Sequence, residues 1–288
     1  MTANNREAGV ENLDARSEAP DPLQGHTREW PCTPYSDEAR APEPPMETSC
    51  CIALFGDCTV DVYMPPAMRP ESHLAVRLRR AFPGQPFVIR NLGDSGGTAG
   101  DLLGPGRLVE ALADIPRLDL AFVCYGINDR KRDGIARCIE NVRALCDRLR
   151  QRYADLAVII ETGIWVDYPR HYMFDRNSRL APLYEAMRQF APEEGYPVLD
   201  IYENMEAETR NGNWDLRVRG LPDREHMILD DSFDKFFADD PAFFTNIHPN
   251  SRCLGLIADW QVAKLQELFG ETLPGPAAAA SEPSGDMA

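Results

Sequence analysis

The sequence predicts a single α/β domain, a three-layer sandwich around a central parallel sheet of about five strands. Three observations lead there. Apolar runs of strand length alternate with stretches whose apolar residues recur at helical spacing. The first three strand-to-helix junctions each carry a short block of Gly, Asn and Asp, and right-handed crossovers bring such junctions to one edge of the sheet. Finally, 288 residues with 43% hydrophobic content and no internal repeat suffice for one large core rather than two small ones.

The elements follow in order. Residues 1–48 are rich in Glu, Asp, Pro, Ala and Ser, cannot bury enough apolar surface to offset their ordering entropy, and read as a disordered tail. The domain is expected over 49–270. Cys51–Phe55 is the first strand. A helix near Glu71–Phe82 carries Leu74, Leu78, Ala81 and Phe82 at helical spacing, and Pro83-Gly84 ends it. Phe87–Leu92 is the second strand. The next helix, with Leu102, Leu103, Leu108, Val109 and Leu112, must break or kink at Gly104-Pro105-Gly106. Leu118–Tyr125 is the third strand, and the helix near Ile135–Tyr153 buries Ile139, Val142, Leu145 and Leu149. Leu156–Thr162 is the fourth strand. After an aromatic, irregular stretch, Ser178–Phe190 is helical and Pro197–Ile201 is the fifth strand. Residues 203–244 read as loops and short helices. A last helix after Asn250 turns Leu254, Ile257, Val262 and Leu265 inward, and 271–288 is a second tail.

Composition narrows the function. A formal net charge of −16 argues against nucleic acid, whose phosphates need basic surface. No apolar run reaches the ~18 residues of a membrane span, and the first residues have no apolar signal core. The eight cysteines form no compact framework and no C-x-x-C pair, so disulfides and structural zinc are not expected. Reduced thiols in the cytoplasm are the simplest account. No cofactor or metal is expected either.

The chemistry sits in four blocks. Gly56-Asp57-Cys58 follows the first strand, Asn91-Leu92-Gly93-Asp94-Ser95-Gly96-Gly97 ends the second, Gly126-Ile127-Asn128-Asp129 follows the third, and His248-Pro249-Asn250 precedes the last helix. A nucleophile on a glycine turn, N–H donors from separate loops and a histidine base make up an acyl-transfer site. Each block alone is an ordinary turn. In this order the four resemble the SGNH, or GDSL, hydrolase superfamily, from about Cys51 to Phe269. That resemblance implies the same flavodoxin-like layering, Cys58 as nucleophile, His248 as base, and Gly96 and Asn128 as oxyanion donors with the Cys58 N–H. Asp57, Asp94, Asp129, Thr245, Trp165 and His171 are the candidates for the substrate side, Asp57 and Asp129 by tying the loops together.

Two departures bear on the reaction. Cysteine replaces the family serine at Cys58, and Thr245 replaces the aspartate three residues before the histidine. A thiol can be made thiolate by a nearby His⁺ or helix N-terminus, so it depends less on a triad aspartate. Thiolate attack on an ordinary ester tends to reverse, because alkoxide is the poorer leaving group, whereas a thioester donor balances the two. A small-molecule or carrier-protein-bound acyl thioester is therefore the expected substrate. Two other readings stand beside it. One is non-acyl chemistry with His248 as base; the other is a binding protein whose triad has decayed. Of the remaining histidines, His73 at a helix start is expected to be solvated or to touch substrate; Arg170, Arg176 and Arg179 could meet a phosphopantetheine or a carboxylate, although arginines on a loop are more often solvated.

Overall fold

The structure, a computed structural model, describes residues 43–61, 69–165, 175–211, 244–245, 248–249 and 251–275. Five parallel strands form one sheet in the order β2-β1-β3-β4-β5: β1 is Cys50–Gly56, β2 Phe87–Gly93, β3 Leu120–Cys124, β4 Ala157–Glu161 and β5 Val198–Leu199. The order reverses beside β1, which pairs with β2 on one side and β3 on the other. Open α/β sheets place their sites in the crevice beside such a reversal. The helices are α1 (Pro70–Ala81), α2 (Ala99–Leu102), α3 (Arg107–Ala111), α4 (Ile127–Arg132), α5 (Ile135–Arg152), α6 (Arg176–Glu193), α7 (Ile201–Arg210) and α8 (Ser251–Phe269). Two short strands, β6 (Phe244–Thr245) and β7 (His248–Pro249), pair antiparallel.

Both faces of β1 are buried, so it reads as a continuous apolar run rather than an alternating one. Its residues still alternate between two cores. Ala53 and Phe55 join Val142, Leu145 and Leu149 of α5 and Leu183 and Met187 of α6. Ile52 and Leu54 join Leu74 and Leu78 of α1 and Val262 and Leu265 of α8. The helix expected after Thr98 is indeed two pieces, α2 and α3, with Gly106 in the left-handed region at φ 78° between them.

Several expectations need correction. Val109 is 66% exposed, because the break at Gly104–Gly106 resets the helical phase and turns it outward. Ile201 opens α7 instead of closing the fifth strand, since the Asp200 side chain caps the helix at the Glu203 N–H, 3.1 Å away. His73 is buried on α1 against α8; the absence of a side chain at Gly255 leaves its Nδ1 just 3.6 Å from where a Cβ would stand.

The tail assigned to 1–48 is too long at its inner end. Glu43 pairs with Arg90 at the β2 edge, and Met46–Thr48 form a 3-10 turn. Arg117 binds the carbonyls of Met46 (2.8 Å), Glu47 (3.0 Å) and Ser49, while its Nε donates to Asp119. Asp119 in turn accepts the Cys51 N–H at 2.7 Å. At the other end Gln85 bonds the Glu271 carbonyl and the Leu273 N–H, so residues 271–273 also pack on the domain.

Arg117→Ala should lower the melting temperature by about 2–8 °C, because charge-assisted bonds to three carbonyls are worth roughly 1–2 kcal/mol net at a half-exposed site. Differential scanning calorimetry reads this directly. An unchanged transition would mean that the segment before β1 is held by other contacts.

Candidate active site

The turn after β1 is organised by Asp57, which is 1% exposed. Its Oδ1 accepts the Thr59 N–H and the Thr59 hydroxyl, both at 2.9 Å, and its carbonyl accepts the Val60 and Asp61 N–H groups at 3.0 Å. The Ile127 N–H reaches the same carboxylate from the start of α4. The turn also lies over the end of β2. A Cβ at Gly93 would stand 2.6 Å from the Asp61 nitrogen, and one at Gly56 only 2.8 Å from the Cys124 carbonyl. Two adjacent strand ends must therefore be glycine for the turn to close.

The loop after β2 wraps this turn. Asn91 Nδ2 donates to the Val60 carbonyl at 2.8 Å, and the Asp94 N–H donates to the Gly56 carbonyl at 3.0 Å. Gly96 takes a left-handed φ of 74°, and its N–H is directed at the Cys58 thiol. Asn128 Nδ2 donates to the Gly97 carbonyl at 3.1 Å, and Asp129 Oδ1 accepts the Ala99 N–H at 2.9 Å. Cys58, Gly96 and Asn128 thus come together at the carboxyl edge, through contacts between their three junctions.

Asp57 and Asp129 tie the loops and, being buried, do not offer themselves to substrate. Burial pushes the Asp129 carboxyl up to about 6, and its Oδ2 has no hydrogen-bond partner among the described residues. Asp94 is exposed and paired with Arg107 at 3.1 Å.

Cys58 is 7% exposed. Burial, and then the neighbouring Asp57 charge, push its thiol up to about 11; the Gly96 N–H, Arg176 and its own N–H pull the other way. Cys58 itself lies in a turn and does not open a helix. Burial and Asp57 thus favour the protonated thiol, while the expected thiolate turns on His248, whose side chain lies outside the described residues.

For His248 and Thr245 the structure describes the backbone alone. They are register partners across the β6–β7 pair, two residues before α8 begins. Trp165 follows β4, half-buried, and packs against both cores. His171, with the rest of the aromatic stretch 166–174 and Arg170, lies outside the described residues.

Two charged residues near the turn were not anticipated. Arg176 is 5% exposed and acts electrostatically on Asp57, Cys58 and Tyr184, so it is not solvated. Its spacing to Leu180, Leu183, Tyr184 and Met187 on the buried stripe of α6 is a signal readable in the sequence. Glu161 ends the apolar strand β4 and is 3% exposed. Its Oε1 accepts from Gln261 of α8 at 2.8 Å. A cavity of about 30 Å³, wide enough for water, is lined by both and by Thr59 and Cys124. Arg179, by contrast, is exposed and pairs with Asp175 at 2.6 Å.

A parallel sheet with a nucleophile turn after its inner strand and donor loops beside it defines the hydrolase type that the four blocks resemble. Residues 54–252 match the GDSL-like lipase/acylhydrolase family, and the chain belongs to that family of esterase- and acylhydrolase-type hydrolases. Among solved structures it is similar to a lipase/acylhydrolase from Enterococcus faecalis, with 18% identity over 79% of this chain and 100% of that one and a TM-score of 0.50. A catalytic mutant of an acetylxylan esterase from Geobacillus stearothermophilus is 14% identical over 76% and 96%, with a TM-score of 0.53. A member of the lipolytic G-D-S-L family from Veillonella parvula is 15% identical over 78% and 100%, with a TM-score of 0.51. At these identities the likeness is one of fold. No curated protein matches in sequence. Among the described residues, no helix is long and apolar enough to cross a membrane.

Glu161 gives the site a testable pH signature. Burial raises its carboxyl from 4.5 to about 7, offset in part by the Gln261 donor. Between those values the folded chain keeps a proton that the unfolded chain has released. Stability therefore falls as pH rises through this window and is flat above it, by roughly 3 kcal/mol in all. Glu161→Gln keeps an acceptor for Gln261 and removes the titration. Its melting temperature relative to the natural chain should rise by several degrees between pH 5 and pH 8, and parallel curves would show that Glu161 does not titrate in that window.

Proposed function

We propose that this hydrolase acts by acyl transfer or hydrolysis through an acyl-Cys58 intermediate, on a thioester carried by a small molecule such as coenzyme A or by a carrier protein. The observation that carries the reading is Cys58 itself: a thiol at the family's nucleophile position, with the Gly96 N–H directed at it and a second donor loop alongside. His248 takes the thiol proton as sulfur attacks the carbonyl carbon. Negative charge develops on the carbonyl oxygen and is met by the N–H groups of Cys58 and Gly96 and by Asn128 Nδ2. The donor S–C bond then breaks, and the leaving thiolate recovers the proton from His248. Water, an alcohol or an amine completes the cycle by displacing Cys58 from the acyl group. Loss of one such oxyanion donor typically costs ~10²–10³ in turnover.

A thiol raised to about 11 needs its base in the attacking step, as a serine does. Orientation of His248 therefore matters more than a resting ion pair would require, and Thr245, its register partner, is the position from which a family aspartate would act. Among the described residues seven buried free thiols support a reducing compartment, in keeping with a cytoplasmic enzyme. The buried, protonated thiol also lends weight to a second reading, in which the polar loops and His248 serve a non-acyl reaction and Cys58 forms no covalent bond.

Intact mass after exposure to acyl thioesters separates the two readings. The natural chain should gain one acyl group, and Cys58→Ala should gain none while keeping its fold. Cys58→Ser should hydrolyse an activated ester poorly, and Cys58→Ser with Thr245→Asp should improve on it by at least tenfold. Full activity in Cys58→Ala would establish the non-covalent reading. A single serine variant better than cysteine on both ester and thioester would end the thioester argument.

A further inference from the structure

The cavity of about 30 Å³ that adjoins the turn after β1 has apolar walls, Leu54, Val60, Ile164, Leu254 and Ile257 among them. The side chains along it that can form hydrogen bonds are Thr59, Cys124, Glu161 and Gln261. Sheet register explains how they meet. Phe122 of β3 and Ile159 of β4 are partners, and both lie in the core that α8 covers. Side chains alternate along a strand, so Cys124 and Glu161, two residues further on, face the same way. Leu254, Ile257 and Gln261 recur at helical spacing on α8 and close the cavity from that helix.

The hydrogen-bond count here is one-sided. The Thr59 hydroxyl donates to Asp57 at 2.9 Å, the Cys124 thiol to the Thr162 carbonyl at 3.8 Å, and the Gln261 amide to Glu161 at 2.8 Å. With those protons committed, what remains on Thr59, Glu161 and Gln261 is chiefly lone pairs. Glu161 is 3% exposed, and no cation acts on it among the described residues. Buried carboxylates are ordinarily paired with a positive charge.

We infer that this cavity is a binding site for a small primary ammonium group, which carries three donors and no acceptor. The Glu161 carboxylate, the Gln261 carbonyl oxygen and the Thr59 hydroxyl oxygen supply the acceptors. Volume sets the size of the ligand. One water needs about 10–15 Å³ on this scale, so about two heavy atoms fit, as in methylammonium with its methyl group on the apolar side. A metal ion is less well served, because among the described residues no three His, Cys, Asp or Glu side chains come together to hold one. The inference does not rest on Cys58 as a reacting group.

The test is the melting temperature of the whole chain in methylammonium chloride, compared with potassium and tetramethylammonium chloride at equal ionic strength and with methanol at equal concentration. At several times its dissociation constant, methylammonium should raise the transition by about 2–4 °C over potassium. Tetramethylammonium, too large and without donors, and methanol, without charge, should not. Glu161→Gln keeps an acceptor for Gln261 and should abolish the difference. A second readout needs no variant and serves should Glu161→Gln fail to fold. An alkylammonium stays charged through pH 8, as lysine does, and burial holds the Cys124 thiol, the other titratable group on the cavity, neutral. With the Glu161 carboxyl raised to about 7, the cation must displace a proton at pH 6 but not at pH 8, so its apparent affinity should be about tenfold weaker at the lower pH. An equal rise with potassium would make this a metal-cation site and overturns the inference. A rise that persists in Glu161→Gln, or that is the same at pH 6 and pH 8, is an ordinary salt effect and overturns it too. No rise at all would mean that the cavity takes water only.

Discussion

The site depends on a carboxylate that does not meet solvent. Asp57 accepts two donors from Thr59 and one from Ile127, so a single side chain fixes the shape of the turn and joins it to the third strand-to-helix junction. Buried acceptors satisfied in this way make a rigid joint, because any rearrangement leaves a polar group unpaired. The joint has two consequences. It draws the chain so close to the neighbouring strand ends that Gly56 and Gly93 leave no room for a side chain. It also sets a buried carboxyl group beside the Cys58 thiol.

The second consequence changes how the cysteine is understood. A thiol is ordinarily the more easily ionised nucleophile, and that property made the loss of a triad aspartate look tolerable. Burial and the neighbouring Asp57 push the Cys58 thiol up to about 11, and that advantage is lost. What remains particular to sulfur is its balance against a thioester leaving group.

Most of the fold was legible in the sequence. Strand-length apolar runs, proline and glycine punctuation and helical spacing placed β1 to β4 and the long helices to within a few residues. The failures have local causes. β5 is two residues long and runs straight into a capped helix, so Ile201 looked like strand. Val109 sat in a plausible apolar series whose phase is broken by a turn. At the site, Cys58, Gly96 and Asn128 were found because turn chemistry leaves motifs. Glu161 and the burial of Arg176 were missed because each is a single charge within an apolar pattern, and only the packing around it shows that the residue is buried. The thiol's raised pKa has no sequence signature, since it comes from burial and from a neighbour whose own burial cannot be read from its identity.

The pairing of α1 with α8 sets an order on biosynthesis. β1 and α1 emerge early from the ribosome, yet the core containing Leu74 and Leu78 is closed by Val262 and Leu265 of α8. That face of the sheet is covered only in part, by α1 and α7, until α8 has been translated, whereas the opposite face can close once α5 and α6 have appeared. A half-covered sheet with an apolar face is the kind of nascent species that chaperones retain. At Gly255 a Cβ would meet the end of the Arg77 side chain at 2.9 Å, so that guanidinium lies close against the helix that completes the fold.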